Sequence, residues 1–416
     1  MSIDAAAAGP RRTDRPLDEA GVATAVRRAA ERGTPVRPSG AGGRVPGPLV
    51  RTDHVLLDAS ALTGIVDMTA GDDQLPAGEG TVRVRAGETI AALCAALAAA
   101  GRAPATVPDA PRATVGGAVQ LGMYGGAPGE GSLSAQVRAA RLVDGAGRVR
   151  EVTDGPDLEA VRCGLGALGV LTAVDLRTVP LRRLRVHERA ARTDELLAEG
   201  FLAGHAWTEC DVAVHSGQAV ARWADPVGAD EPEATERGAE SWGRAVSRLA
   251  TSWWSSRSSW PPPQRWAPGT EGPPHEVLPD PQPWDPDLSE WAIPDAAVGG
   301  VLRELGAAVA ARGRELRPVR VRTGRSETGL VHPASGRDTA YLRIRTRGAD
   351  QEPVRRLAAA VCEDAGGRPC WTTRHAWGPD ELAVAYPGWE AFRAARDRFD
   401  PDHRFTDPYL ATLLGP

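Results

Sequence analysis

Three glycine-rich segments in the first half of the chain have the composition of loops that bind phosphate groups. They are SGAGGRV (39–45), TVGGAVQLGMYGG (114–126) and GLGALGV (164–170). Residues without a side chain let backbone N–H groups converge on an anion, so a diphosphate would fit the first loop. Each loop taken singly is equally typical of a tight turn, and neither a Walker A nor a Rossmann pattern is present. Their occurrence together in one region favours a cofactor site.

A second group of residues that could bind a ligand is a set of arginines late in the chain. Arg320 and Arg322 are two apart on a predicted strand (319–323), so their side chains share one face, and Arg345 lies on the next predicted strand (341–346). Guanidinium groups bind carboxylate or phosphate in a bidentate manner, which makes these arginines a candidate clamp for an anionic group. The alternative is that they pair with Asp or Glu or face solvent. The sequence contains no lysine, which excludes Schiff-base chemistry.

The elements that must position these residues alternate between helices and strands. Apolar spacing predicts helices over 17–32, 90–100, 293–312 and 351–365, and strands over 35–38, 53–58 and 81–85. Between 138 and 180 the pattern is strand, turn, strand, short helix, strand. This predicts the α+β class.

A change of composition follows residue 180. Nine of the twelve tryptophans lie between Trp207 and Trp291, and the stretch 261–286 contains ten prolines. So many prolines predict a stretch without regular secondary structure, either a long surface loop or disordered insertion, or a lid over a ligand.

Composition excludes several classes of protein. The 416 residues, 42% hydrophobic and 25% charged, are typical of a globular protein of two or three domains. We find no apolar run of membrane-spanning length, no secretion signal, and no basic stripe of the kind that binds nucleic acid. The five cysteines form no CxxC pair, which predicts neither a disulfide framework nor a metal site. We therefore expect a cytoplasmic protein without nucleic-acid or membrane partners.

The order and spacing of several motifs resemble the vanillyl-alcohol-oxidase superfamily of PCMH-type FAD-binding proteins, and within it the aldonolactone and alditol oxidases. The resemblance covers nearly the whole chain. The motifs include RPSGAGGRV (37–45), TVGGAVQLGMYGG (114–126), GLGALGVLTAVDLRTVP (164–180), SEWAIP (289–294) and WEAFRAARDRFDPDHRFTDPYL (389–410).

The resemblance implies three parts of the chain and a cofactor. It implies a two-subdomain FAD-binding domain over 10–180, an α+β substrate or cap domain over 181–365 with a Pro/Trp-rich insertion at 253–291, and a C-terminal segment (366–416) that returns to the FAD domain. The residues implied to contact FAD are Gly40, Ala41, Gly42, Gly43, Arg44, Val45, Thr114, Gly116, Gly117, Gly122, Gly125, Gly126, Ser132, Ser134, Gly169, Val170 and Cys370.

Several active-site positions depart from the family pattern. Gly43 stands where family oxidases carry the histidine that bonds covalently to flavin, so a noncovalent flavin is implied. Gln120 and Tyr124 replace residues of the second loop, and Arg320-Val321-Arg322 replaces an E-x-R pair. Cys370 and Thr373 replace the histidine and lysine of a late R-P-H-W-G-K motif, and Arg345 replaces a threonine.

These substitutions leave the identity of the catalytic residues undecided. The resemblance implies that Gln120, Tyr124, Arg320, Arg322, Arg345 and Thr373 line the reaction site. With the family lysine and glutamate gone, the remaining candidates for a general base are Tyr124, Cys370, Glu327, His332 and His375. None of the five stands at a family catalytic position.

The function expected from these observations is an FAD-dependent oxidoreductase. It would oxidise a specialised, anionic small metabolite by hydride transfer to flavin N5, with dioxygen or another acceptor reoxidising the flavin. The alternative is a non-redox cyclase, isomerase or lyase in which FAD is absent or only structural. A third hypothesis is a binding or scaffold protein that engages a partner through the Pro/Trp segment.

Overall fold

We describe the fold from a computed structural model of the chain. The structure describes residues 12–41, 55–71, 76–228, 268–278, 288–313, 316–345 and 351–415. Four implied cofactor residues, 42–45, and most of the Pro/Trp-rich segment therefore lie outside the described residues.

The chain begins with a small parallel sheet that carries the first glycine-rich loop at its end. Strands β1 (Arg12–Asp14), β2 (Val36–Ser39) and β3 (Val55–Asp58) are ordered β1-β3-β2. Helix Glu19–Glu31 connects β1 to β2, and the Asp18 carboxylate caps it by accepting a hydrogen bond from Gly21 N–H. The helix buries its apolar face on this sheet, together with Leu57 and Val36.

A second, antiparallel sheet carries the other two glycine-rich segments. Its strands are ordered β4-β5-β9-β7-β8, with β6 paired to β9. Three helices cover it, Ile90–Ala99, Val115–Gln120 and Gly155–Val161. The strands are β4 (Ile65–Ala70), β5 (Gly80–Arg85), β6 (Arg102–Pro104), β7 (Val137–Val143), β8 (Val149–Val152) and β9 (Val170–Pro180).

The third sheet has eight strands, all paired antiparallel, in the order β13-β10-β12-β11-β15-β16-β14-β17. The strands are β10 (Leu184–Arg192), β11 (Trp207–Ala213), β12 (Gln218–Pro226), β13 (Glu271–Gly272), β14 (Leu288–Pro294), β15 (Val319–Gly324), β16 (Thr339–Arg345) and β17 (Arg368–Pro369). Helices Val298–Ala310 and Gln351–Asp364 pack on one face, against Val319, Val321 and Leu342. Because side chains alternate along a strand, the neighbouring arginines of β15 point to the other face.

The C-terminal segment packs against the first two sheets. Helices Pro379–Ala385, Trp389–Phe399 and Pro408–Leu414 bury Leu382, Phe392 and Leu410 in the core of the six-stranded sheet. Phe405 joins the core of the small parallel sheet. The remaining helical turns are Thr193–Ala198 and Pro274–Val277 and the 3₁₀ turns Ala59–Ala61, Ser134–Gln136, Phe201–Ala203 and Asp295–Ala297.

The α+β prediction is confirmed, while several element predictions need correction. The predicted helix 293–312 begins only at Val298, because Ile293 and Pro294 end strand β14 and a 3₁₀ turn follows. Within the stretch predicted to lack regular structure, the described residues form β13 and helix Pro274–Val277. Proline at the first helical position is compatible with a helix because that N–H has no intrahelical acceptor. Strands β10 to β12 were not predicted, and the boundaries after 180 and 365 stay predictions.

Candidate active site

A groove between the parallel sheet and the six-stranded sheet brings together parts of all three glycine-rich segments. The end of β2, the turn and helix at 114–121 and the loop into β9 form its walls. The residues that line it are Arg37, Pro38, Ser39, Gly40, Ala59, Ala86, Thr114, Gly116, Gly117, Gln120, Leu121, Leu165, Gly166, Gly169, Val170 and Leu171. Most of these residues present backbone or small side chains to the groove.

The close approach of two loops fixes the shape of this groove. A Cβ added to Gly40 would lie 2.1 Å from Thr114 Oγ1, so only glycine lets the first loop meet the second here. Thr114 also caps helix Val115–Gln120 by accepting a hydrogen bond from Gly117 N–H at 3.2 Å. The buried Arg37 guanidinium forms an ion pair with Asp407, with 3.2 Å between Nε and Oδ2. A narrow, glycine-lined groove with one guanidinium fits the diphosphate of a dinucleotide cofactor.

Not all of the implied cofactor residues reach this groove. Thr114, Gly116, Gly117, Gly169 and Val170 line it together with Gly40, and Ala41 directly follows Gly40. Of the others that the structure describes, Ser134 is buried and its hydroxyl donates to Val119 O, and Gly125 and Gly126 lie against Val107 and Trp207.

Gly122 marks a contact between the second loop and a buried histidine. Its φ is +62°, a left-handed conformation that favours glycine, and an added Cβ would lie 2.6 Å from His332 Nε2. His332 lies 3.5 Å from Glu327, whose carboxylate accepts hydrogen bonds from the backbone N–H and the hydroxyl of Ser132. Burial lowers the pKa of His332. Ser132, Glu327 and His332 thus hold the second loop against the eight-stranded sheet.

Gln120 is a positioning residue of the groove wall. Its Oε1 accepts a hydrogen bond from Gly166 N–H at 2.9 Å, and its Nε2 donates to Val161 O at 3.0 Å. Both ends of the side-chain amide are therefore engaged in joining the second glycine-rich segment to the third.

Arg320 of β15 belongs to a row of charged residues across the eight-stranded sheet. In register, Asp211 of β11 lies opposite Arg320, Arg320 lies opposite Arg343 of β16, and Arg343 lies opposite Glu290 of β14. Arg320 Nε donates to Asp211 Oδ1 at 3.0 Å, and Arg343 Nε donates to Glu290 Oε1 at 2.9 Å. The opposite-charge pairs at the two ends of the row stabilise the sheet, and they counter the repulsion between the two arginines that lie opposite each other in its middle.

Arg322 occupies the next position of the same face and connects it to the first half of the chain. Its guanidinium pairs with Glu209 of β11 and, at 2.7 Å, with Asp109. It also lies over the ring of Trp207, 5.4 Å from the ring centroid. Arg222 pairs in turn with Asp211 at 2.6 Å and with Glu188 at 2.7 Å.

Two carboxylates of this face, those of Asp211 and Glu290, have lowered pKa values. Burial alone would raise the pKa of Asp211, but the guanidinium groups of Arg320 and Arg222 hold it below its ordinary value. The face thus combines four guanidinium groups (Arg222, Arg320, Arg322, Arg343) with five carboxylates (Asp109, Glu188, Glu209, Asp211, Glu290). The guanidinium groups of Arg320 and Arg322 are therefore paired with Asp and Glu, which was the alternative to a clamp for an anionic group.

Tyr124 of the second loop meets this charged face. Its hydroxyl donates to Glu290 Oε1 at 2.5 Å, and its ring stacks on Tyr341, with 3.6 Å between ring centroids. Thr372 donates to the other carboxylate oxygen, and Thr373 Oγ1 accepts from Glu290 N–H. Burial and the nearby Glu290 charge raise the pKa of Tyr124.

Cys370 lies beside the Tyr124 and Tyr341 rings and is buried. Burial, followed by the Glu290 charge, raises the pKa of its thiol. Arg345 is buried at the end of β16, opposite Leu288, two residues beyond Arg343.

Among the described residues, no group of His, Cys, Asp and Glu side chains could hold a metal ion. No helix in this part of the chain is long and apolar enough to cross a membrane.

Sequence reasoning missed the central residues of this face. Glu290 lies within the SEWAIP motif. Arg343 is two residues from Arg345 on the same strand, so side-chain alternation along 339–345 could have placed Arg343 on this face. Asp109, Glu209 and Asp211 carried no signal, because their approach depends on the pairing of β11 with β15.

Comparisons with known proteins agree with this architecture. Residues 10–153 match the family model of the FAD binding domain, and residues 272–413 match that of D-arabinono-1,4-lactone oxidase. The chain is 29% identical to L-gulono-1,4-lactone dehydrogenase of Mycobacterium tuberculosis, over 97% of this chain and 95% of that protein. It is 30% identical to L-gulonolactone oxidase of Bos taurus over 30% of each chain.

Among solved structures, cholesterol oxidase from B. sterolicum has the same fold, with a TM-score of 0.75 at 18% identity over 97% of this chain and 94% of that one. The groove, the two family matches and the full-length relative confirm FAD as the cofactor. The resemblance to the vanillyl-alcohol-oxidase superfamily of PCMH-type FAD-binding proteins is therefore confirmed, and the chain is an FAD-dependent oxidoreductase.

Proposed function

We propose that the chain oxidises a hydroxyl-bearing carbon of a small, uncharged, hydroxyl-rich lactone, and that it holds FAD noncovalently. The observation that supports this substrate class is the sheet face beside Tyr124, where each guanidinium group is paired with a carboxylate. Hydroxyl groups can accept from and donate to such a face without adding charge to it. A relative that aligns with nearly the whole chain is a lactone dehydrogenase.

The groove residues would hold the cofactor, and the charged face would orient the substrate. Arg37 and the backbone around Gly40 and Gly117 provide contacts for the diphosphate. When bound, FAD would accept a hydride from the substrate carbon at flavin N5, and dioxygen or another acceptor would reoxidise it. Glu290 and Arg343 supply charge-assisted hydrogen bonds beside the second loop, which is where a substrate hydroxyl needs a fixed orientation.

Two features support noncovalent binding of the flavin. Gly43 has no side chain that could bond to the ring, and it stands at the position of the family histidine. Cys370 is the other candidate for attachment, but burial raises the pKa of its thiol. A protonated thiol is a poor nucleophile.

The anionic substrate expected from the sequence is the second candidate. The observation that favours an anionic substrate is the buried guanidinium of Arg345 at the end of β16. A carboxylate placed beside the paired face would add negative charge to a group that already has more carboxylates than guanidinium groups. The uncharged substrate is therefore the first proposal.

The test compares a lactone with its own hydrolysis product. The visible spectrum of the purified protein is recorded before and after acid precipitation, and the holoprotein is then titrated anaerobically with L-gulono-1,4-lactone, D-arabinono-1,4-lactone and the matching aldonates. We expect flavin in the supernatant and bleaching by a lactone. Bleaching by the aldonates alone would replace the uncharged substrate with the anionic one, and flavin in the pellet would refute noncovalent binding. A protein that stays colourless after incubation with FAD would favour the non-redox alternative.

A further inference from the structure

A second arginine pair, Arg337 and Arg368, lies apart from the cofactor groove and the charged face. Arg368 is on β17 and is 7% exposed, and Arg337 is half-buried in the loop before β16. The guanidinium of Arg368 lies over the ring of Tyr386, 4.6 Å from the centroid. None of the three residues lines the groove.

Both guanidinium groups are held by backbone carbonyls. Arg368 Nη1 donates to Ser335 O at 2.7 Å and to Pro333 O at 3.2 Å. Arg337 donates from Nη1 to Gly366 O and from Nη2 to Ala292 O. Within the described part of the chain no carboxylate forms an ion pair with either arginine, which contrasts with the four arginines of the charged face. Two positive charges are thus fixed near each other without a counter-charge.

Two buried polar atoms of these residues lack hydrogen-bond partners. The Tyr386 hydroxyl and Arg337 Nε are shielded from solvent and have no hydrogen-bond partner in the described structure, and Tyr386 itself is 1% exposed. Burial, followed by the charge of Arg368, lowers the pKa of Arg337 to about 10. Buried polar groups are normally hydrogen-bonded, and buried charges are normally paired. A missing anion would account for both departures.

We propose that Arg337, Arg368 and Tyr386 form a binding site for a small inorganic anion. The two guanidinium groups would supply charge-assisted hydrogen bonds, and the Tyr386 hydroxyl would supply a neutral one. Arg337 is only half-buried, so its side of the site lies nearest to solvent. Halides and oxyanions share this chemistry, so the experiment uses both.

The test measures thermal stability as a function of anion concentration. The full chain with FAD is transferred to a Hepes buffer, and chloride, bromide, sulfate or phosphate replaces Hepes at constant ionic strength. We expect a saturable rise in Tm, because a ligand that binds only the folded state stabilises it. Arg337→Gln is expected to weaken the apparent affinity by about tenfold or more, the loss of one charge-assisted bond. The anion whose effect on Tm saturates at the lower concentration shows whether the site prefers a halide or an oxyanion.

Two controls keep the proposal falsifiable. Arg356→Gln removes an arginine that is 77% exposed and pairs with Glu352, and it should leave the anion effect unchanged. Tyr386→Phe removes only the hydroxyl, so it tests the site without removing a charge. An anomalous bromide peak beside Arg337 and Arg368 in crystals is the direct expected result. A Tm change that does not saturate, or that is the same in Arg337→Gln, would overturn the proposal, as would an ordered water in place of bromide.

Discussion

At the scale of single residues, the sharpest consequence of the structure concerns Arg322. Its guanidinium is buried between Asp109 and Glu209, so Arg322→Gln leaves two buried carboxylates without their counter-charge. Breaking one side of a buried ion pair typically costs about 3–5 kcal/mol. We expect the free energy of unfolding, measured with urea, to fall by about that amount.

The matched control is Arg325→Gln, one residue beyond the same strand. Arg325 is exposed and donates to Gly129 O, so its replacement should cost about 1 kcal/mol or less. Equal losses in the two variants would contradict the view that burial of paired charges, rather than arginine content, stabilises this face.

These residues also show what the sequence could and could not predict about the site. Strand alternation correctly places Arg320 and Arg322 on one face, because alternation is a local property. Their partners come from β11 and from the segment before the second loop. Those partners depend on which strands become neighbours, which local patterns do not determine. The anion clamp was therefore inferred from arginines whose carboxylate partners cannot be identified from the sequence.

At the scale of elements, the C-terminal helix Pro408–Leu414 is predicted to control cofactor binding from outside the groove. Asp407 caps this helix by accepting from Leu410 N–H at 2.8 Å, and it also pairs with Arg37 in the groove wall. Leu410→Ala removes a fully buried side chain and should cost about 2–5 kcal/mol of unfolding free energy. We expect a higher dissociation constant for FAD, measured by quenching of flavin fluorescence.

Val384→Ala, in the helix Pro379–Ala385 that packs beside this one, is the control. Val384 is 90% exposed, so its truncation should change stability by no more than about 0.5 kcal/mol. If Leu410→Ala lowered stability and left FAD affinity unchanged, the helix would support the core without positioning Arg37.

The helices and strands themselves followed from periodicity where one face is buried. The predicted strand 81–85 and helix 90–100 agree with β5 and helix Ile90–Ala99. Prediction failed for β10 to β12, where no alternating pattern was recognised and one strand, β11, is buried at every position. Burial on both faces removes the alternation from which a strand is recognised.

At the scale of the whole molecule, two histidines, the partly buried His375 and the fully buried His332, couple stability to pH. His375 joins two parts of the C-terminal segment, since its Nε2 lies 2.8 Å from Tyr409 Oη and its Nδ1 accepts from Trp377 N–H. Protonation at Nδ1 would break the second bond. Burial lowers the pKa of His375 to about 4, and it lowers that of His332 as well.

The direction of the pH effect follows from these lowered values. Between about pH 6.5 and 4 the unfolded chain binds a proton at His375 and the folded chain does not, so stability is complete above that range and falls as the pH falls through it. This group alone accounts for about 3 kcal/mol over the window. Urea unfolding at pH 7.5 and pH 4 should therefore show a smaller loss in His375→Gln than in the unaltered chain. Carboxylates with lowered pKa, such as Glu290, add to the acid loss in both proteins, so only the difference between them reports on His375. Identical losses would mean that the imidazole is protonated in the folded chain as readily as in the unfolded one.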